Sequence, residues 1–108
     1  MADPMRIRAT LRSGRIEVRV LIAHPMETGL RKDEAGNPIP AWYITDVTAR
    51  VNDRIVMKTA WGTAVSKDPL LVFHVLGGAV GDRVTVDWID NRGDRRTDEA
   101  TVVAPASP

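Results

Sequence analysis

The sequence predicts an all-β protein, an immunoglobulin-like β-sandwich of about seven short strands. Apolar residues recur at every second position, the period of a strand and not of a helix. Turn residues interrupt that alternation about every 8–12 positions, the spacing of a sandwich or barrel. No segment carries the apolar stripe of an amphipathic helix. A small Greek-key barrel is the alternative closure for the same strands.

The first strand covers 5–12, where Met5, Ile7, Ala9 and Leu11 alternate with Arg6, Arg8, Thr10 and Arg12. Ser13-Gly14 turns the chain, and Ile16, Val18, Val20 and Ile22 then form the second arm of a hairpin. Residues 24–41 contain Pro25, Pro38 and Pro40, which excludes a long helix or a central strand. Residues 33–37 read as a turn at the tip of this excursion. A loop of this length in a small domain is functional or disordered.

Alternation resumes at Tyr43, Thr45, Val47, Ala49 and Val51, and Asn52-Asp53 is a tight turn. Ile55, Met57, Thr59 and Trp61 mark the next strand, followed by a loop over 62–69. A largely apolar strand over 70–76 runs into Gly77-Gly78 and Gly81-Asp82. Val84, Val86 and Trp88 alternate with Arg83, Thr85 and Asp87, which places Trp88 in the core. A turn at 91–94 leads to a last strand over about 95–103, and Pro105 and Pro108 end the order. One domain over 1–108, with an ordered core over about 5–104, accounts for the whole chain.

The 108 residues include 15 basic and 14 acidic side chains, a net charge of +1, with no cysteine. A net charge near zero is no footprint for nucleic acid. Without Cys there is no disulfide, thiolate nucleophile, Cys-ligated metal or covalent thiol carrier on this chain. Charge is uneven: residues 1–20 carry five Arg against Asp3 and Glu17. The face made by Arg6, Arg8 and Arg12 reads as charge that discourages edge pairing, in preference to a phosphate contact. No run approaches the roughly 20 apolar residues of a membrane span, and the start carries no apolar signal core.

Catalytic constellations are weak. His24 and His74 are the only histidines, and neither has a His or carboxylate at i+2 or i+4. A copper site through His24 and Met26 suits the ligand types, but an ordinary hydrogen-bonded His is the preferred reading. Ser13, Ser66 and Ser107 lack a nucleophile elbow. The glycines of 77–81 lead into a strand instead of a helix N-terminus, so they form a turn and not a phosphate cradle. Asp87 and Asp90 flank Trp88 and read as outward charges. Trp42 and Trp61 sit at strand ends beside the long loops, where amphipathic aromatics serve interfaces or are partly buried.

Several blocks are distinctive together. The run from His24 to Asp33 (HPMETGLRKD) is followed by Gly36 and Ile39-Pro40-Ala41. Then come Trp61 to Pro69 (WGTAVSKDP), Gly77 to Asp82 (GGAVGD), Trp88 to Asp94 (WIDNRGD) and Thr97-Asp98-Glu99. In this order, over residues 5–103, they resemble the Z subunit of the sulfur-oxidation (Sox) carrier complex, the SoxZ family. The sequence departs from the family pattern at Trp42, where His is frequent, at Asp68, where Asn is common, and at Ala79-Val80, where a basic residue often stands.

The resemblance implies a non-catalytic, cofactor-free subunit of the SoxYZ heterodimer. In that complex the Y subunit carries covalent sulfur intermediates on its cysteine arm during thiosulfate oxidation, and other Sox enzymes act on the carrier. It also implies a periplasmic location, reached by export with the partner. The candidate partner contacts are His24, Met26, Glu27, Arg31, Trp42, Trp61 and Lys67, chosen for loop length and for aromatic, Met and Arg content. The alternative is a stand-alone ligand- or copper-binding sandwich. Exposed strand edges also leave open a homodimer of the isolated chain.

Overall fold

A computed structural model describes residues 2–105; Ser107 and Pro108 lie outside the described residues. Among the described residues there are seven strands and no helix. They are β1 (Arg6–Arg12), β2 (Arg15–Leu21), β3 (Ile44–Val51), β4 (Arg54–Ala60), β5 (Leu70–Leu76), β6 (Arg83–Asp90) and β7 (Arg95–Thr101). All named pairings are antiparallel, in one sheet ordered β1-β2-β5 and another ordered β4-β3-β6-β7. Two separate sheets make this a sandwich and not a closed barrel.

The predicted alternation is the packing. Ile16, Val18, Val20 and Ile22 are fully buried in one sheet. Val47, Ala49, Val84, Val86 and Trp88 meet them from the other, and Ile44 takes the buried place expected of Thr45 because the β3–β6 register shifts between Ile44 and Asp46. The β1–β2 turn is made by Ser13 (φ 50°) and Gly14 (φ 78°), and two positive φ angles match the right-handed twist of a tight hairpin. Gly78 has φ +90°, and a Cβ there would stand 2.5 Å from Ile16 Cδ1, so this turn closes on the core.

Three further expectations change. The β3–β4 register shifts between Ala49 and Arg50, so Val56 and Met57 are both half-buried while Ile55 is 49% exposed. That bulge breaks the simple alternation read from Ile55 to Trp61. Strand β7 ends at Thr101, short of 103, because the chain then crosses to β1. There Leu11 N donates to Val103 O and Val103 N donates to Ala9 O, both at 3.0 Å. Asp90 is not an outward charge; it is 3% exposed at the end of β6.

Candidate functional site

The long excursion is a narrow ribbon. Glu27 and Trp42 exchange backbone hydrogen bonds at 2.6 and 3.0 Å, and Ile39 N donates to Arg31 O at 2.9 Å. Asp33 Oδ1 accepts from the amides of Ala35 and Asn37, which forms the predicted turn at the tip. The prolines occupy positions that need no ladder donor. Most side chains over 28–40 are exposed.

A buried polar hub fixes the base of the ribbon. His24, 4% exposed, faces Asp90 through Nε2···Oδ2 at 3.0 Å. Its Nδ1 accepts the Met26 amide at 3.1 Å, which leaves Nε2 as the donor to Asp90. Trp42 Nε1 donates to the same Oδ2 at 2.8 Å, and Asp90 Oδ1 accepts the Arg92 and Asp94 amides at 2.9 and 3.0 Å. Burial pushes the Asp90 carboxyl up, but the donors from His24, Trp42 and the two amides outweigh it and hold it below its ordinary value. The His24 ring stands edge-on to Trp42 and Trp88, with centroids at 5.4 and 5.2 Å, and the Arg92 guanidinium lies 4.1 Å over Trp42. Asn91 closes the junction, accepting from Tyr43 N and donating to Ala41 O.

The second loop is tied to the same point. His24 N donates to Asp68 Oδ1 at 2.9 Å, and Asp68 N donates to His24 O at 3.0 Å. Met26, with φ 48°, is buried, and its Sδ accepts the Ile44 amide at 3.4 Å. Such a conformation in a non-glycine residue persists only where its surroundings hold it.

Six of the seven candidate contacts gather here. A cleft of about 230 Å³ is lined by His24, Pro25, Trp42, Lys67, Asp68 and Trp88 among others. A second, of about 340 Å³, is lined by Pro25, Met26, Glu27, Thr28, Arg31 and Lys67. The two share Pro25 and Lys67. Trp61 lines neither; it is half-buried after β4, where its amide donates to Thr45 O. Within the ribbon Arg31 forks onto Glu27 at 2.9 and 2.6 Å, and this hydrogen bond lowers the Glu27 pKa and raises that of Arg31. His24 and Met26 serve the interior, whereas Glu27, Arg31 and Lys67 present charge outward.

The geometry limits the chemistry. A triad needs its His to reach a carboxylate with one nitrogen and a nucleophile with the other. Here the second nitrogen is taken by a backbone amide. The copper reading needs a free lone pair on His24, but its Nδ1 accepts the Met26 amide and its Nε2 faces Asp90; Met26 is buried with Sδ turned to the Ile44 amide. His74 lies on β5, where it meets Glu17 at 3.6 Å. Asp87 faces away from Asp90 and pairs with Arg50 at 2.7 Å, so the two carboxylates form no acid–base pair. Asp90 and Asn91 are the positions of this junction that the residue-by-residue reading missed.

The family described as Sulphur oxidation protein SoxZ matches residues 5–101. Among solved structures, a superoxide reductase (neelaredoxin) from Ignicoccus hospitalis is similar with a TM-score of 0.60 and 10% identity, over 96% of this chain and 82% of that one. At that identity the likeness is one of fold alone. No curated protein sequence matches.

Proposed function

The chain belongs to the SoxZ family and is a subunit of a sulfur-oxidation system, and on that premise we propose that it is the non-catalytic half of the carrier heterodimer. The cysteine-armed Y subunit would hold the sulfur intermediates, and this domain would hold the Y subunit. The observation that carries the reading is the division of labour at the loop end. The His24–Asp90 hub is satisfied internally, with no ring nitrogen left for a substrate, while the ribbon it anchors presents Arg31, paired with Glu27, to solvent and the adjoining 62–69 loop presents Lys67. A site built so is a rigid platform and not a reaction centre. The absence of cysteine is consistent: this chain cannot itself form a covalent sulfur adduct on a thiol. The same premise supports a periplasmic location.

Native mass spectrometry of this chain mixed with a Y-type subunit from the same organism tests the proposal. A stable one-to-one species is expected. A chain that stays alone or self-paired at micromolar concentrations of both overturns it.

A further inference from the structure

The outer face of the β1-β2-β5 sheet has no role in the platform just described. The strand register assembles it from residues far apart in sequence. Arg6, Arg8 and Arg12 of β1 lie beside Arg15 and Arg19 of β2, and Arg8 stands opposite Arg19 as Arg12 stands opposite Arg15. All five are exposed, and none has a carboxylate within salt-bridge distance among the described residues. The one acid on this face, Glu17, is turned to His74. Like charges placed directly across a strand pair work against the sheet. The fold therefore tolerates two unfavourable pairings on this face with no internal compensation.

Apart from Thr10, Glu17 and His74, the rest of the face is aliphatic. Leu21 pairs with Leu70, Arg19 with Val72 and Arg15 with Leu76. Leu70 is 57% and Leu76 82% exposed. Edge protection does not explain all five arginines. β1 is an edge strand, which Val103 engages around Thr10, but Arg15 and Arg19 lie on the central strand β2, and the other edge, β5, carries no Arg, Lys, Asp or Glu.

We propose that this face docks an acidic protein surface, whose carboxylates meet the arginine rows and whose apolar centre seats on Leu70, Val72 and Leu76. Charge complementarity selects the occupant. A two-fold pairing of this chain through the face sets the arginines against themselves. The outer face of the other sheet in a second copy offers little beyond Asp46, because Asp87 is paired with Arg50 and Glu99 with Arg83. A nucleic acid matches the arginines but not the aliphatic residues, and this face has no Trp, Tyr or Phe on which bases stack, its one ring being His74, which faces Glu17. Arginine is enriched at protein interfaces, whose buried centres are apolar, and the fork of a guanidinium fits a carboxylate.

The inference goes beyond the heterodimer reading and rests on it only for the choice of probes. The isotope-labelled full chain, alone and in the heterodimer, is titrated with each purified protein of the sulfur-oxidation system and with a DNA duplex. One protein is expected to shift the amides of β1, β2 and β5, with affinity falling as salt rises. In Arg8→Glu/Arg19→Glu that affinity falls about tenfold or more. Leu70→Ser/Val72→Ser weakens it without changing the salt dependence, and Arg8→Gln/Arg19→Gln serves if charge reversal disturbs the fold. Unchanged binding of every protein by these variants overturns the proposal, as does a face that only the duplex engages. If the chain pairs with the Y subunit while this face stays silent, the docking inference fails and the platform reading stands. If the chain ignores the Y subunit yet another protein engages the face, the reverse holds.

Discussion

Trp42 and Asp90 stand 48 residues apart in sequence, and the Trp42 indole donates to Asp90 Oδ2 at 2.8 Å, beside the His24 donor on the same oxygen. One carboxylate thus ties the start of the ribbon, its end and the β6–β7 turn together. Four donors on two oxygens make Asp90 the residue whose loss leaves the most groups unpartnered.

Asp90→Asn tests that role. An amide has one acceptor oxygen, so its NH2 must face either the His24 and Trp42 donors or the two backbone amides. The expected cost is about 2–3 kcal/mol, read as a lower urea midpoint with an unchanged slope.

Acid stability should report the same residue. The folded Asp90 carboxyl is held below the value of 3.8 it has when unperturbed. Its contribution is therefore fully present at pH above that value and is lost as pH falls through the lower folded one. Asp98, held low by the Arg96 fork and the Met5 amide, adds to the same limb. Wild type should lose stability steeply below about pH 4, and Asp90→Asn should show a shallower acid limb in urea midpoints measured across that range. Equal limbs in the two proteins would argue that the hub does not hold Asp90 ionised.

The strands were legible because burial on one face of a strand imposes period two, and no competing pattern exists in this chain. The hub was half legible. Asp90 is in phase with Val84, Val86 and Trp88, so the alternation itself placed it inward; its charge argued for the outside, and four donors supplied by distant loops decided the matter. Those donors come from His24, Trp42 and the 91–94 turn, and no local rule brings them together. The β4 bulge and the crossing of 102–103 to β1 were invisible for a related reason: each is set by a partner strand and not by the residues themselves. The arginines of β1 were visible as a stripe, but their union with Arg15 and Arg19 needed the hairpin register.

Gly78→Ala probes the other end of the sandwich. The new Cβ meets Ile16, a fully buried core residue, and the backbone has φ +90°. Overpacking and a disfavoured backbone act in the same direction, so a loss of about 1–3 kcal/mol is expected. Gly36→Ala is the control: its φ is +84° but nothing lies within 4 Å, so only the backbone term should remain and the drop in melting temperature should be smaller.

The platform reading predicts that binding and stability separate by residue. Trp42 holds Asp90, so Trp42→Ala should lower the melting temperature, and any loss of partner affinity in that variant is ambiguous. Arg31 and Lys67 are exposed, and the Arg31–Glu27 fork lies at the surface, where such pairs add little to stability. Arg31→Glu/Lys67→Glu should therefore leave the melting temperature unchanged. If the ribbon and the adjoining 62–69 loop are the partner contact, the same double variant should bind the Y subunit at least about tenfold more weakly, mainly through slower association. Calorimetric titration with thermal melts on the same samples gives both readouts. Intact affinity with an intact fold would move the heterodimer interface away from the ribbon, whereas a lowered melting temperature with intact affinity would reduce Glu27, Arg31 and Lys67 to loop ties.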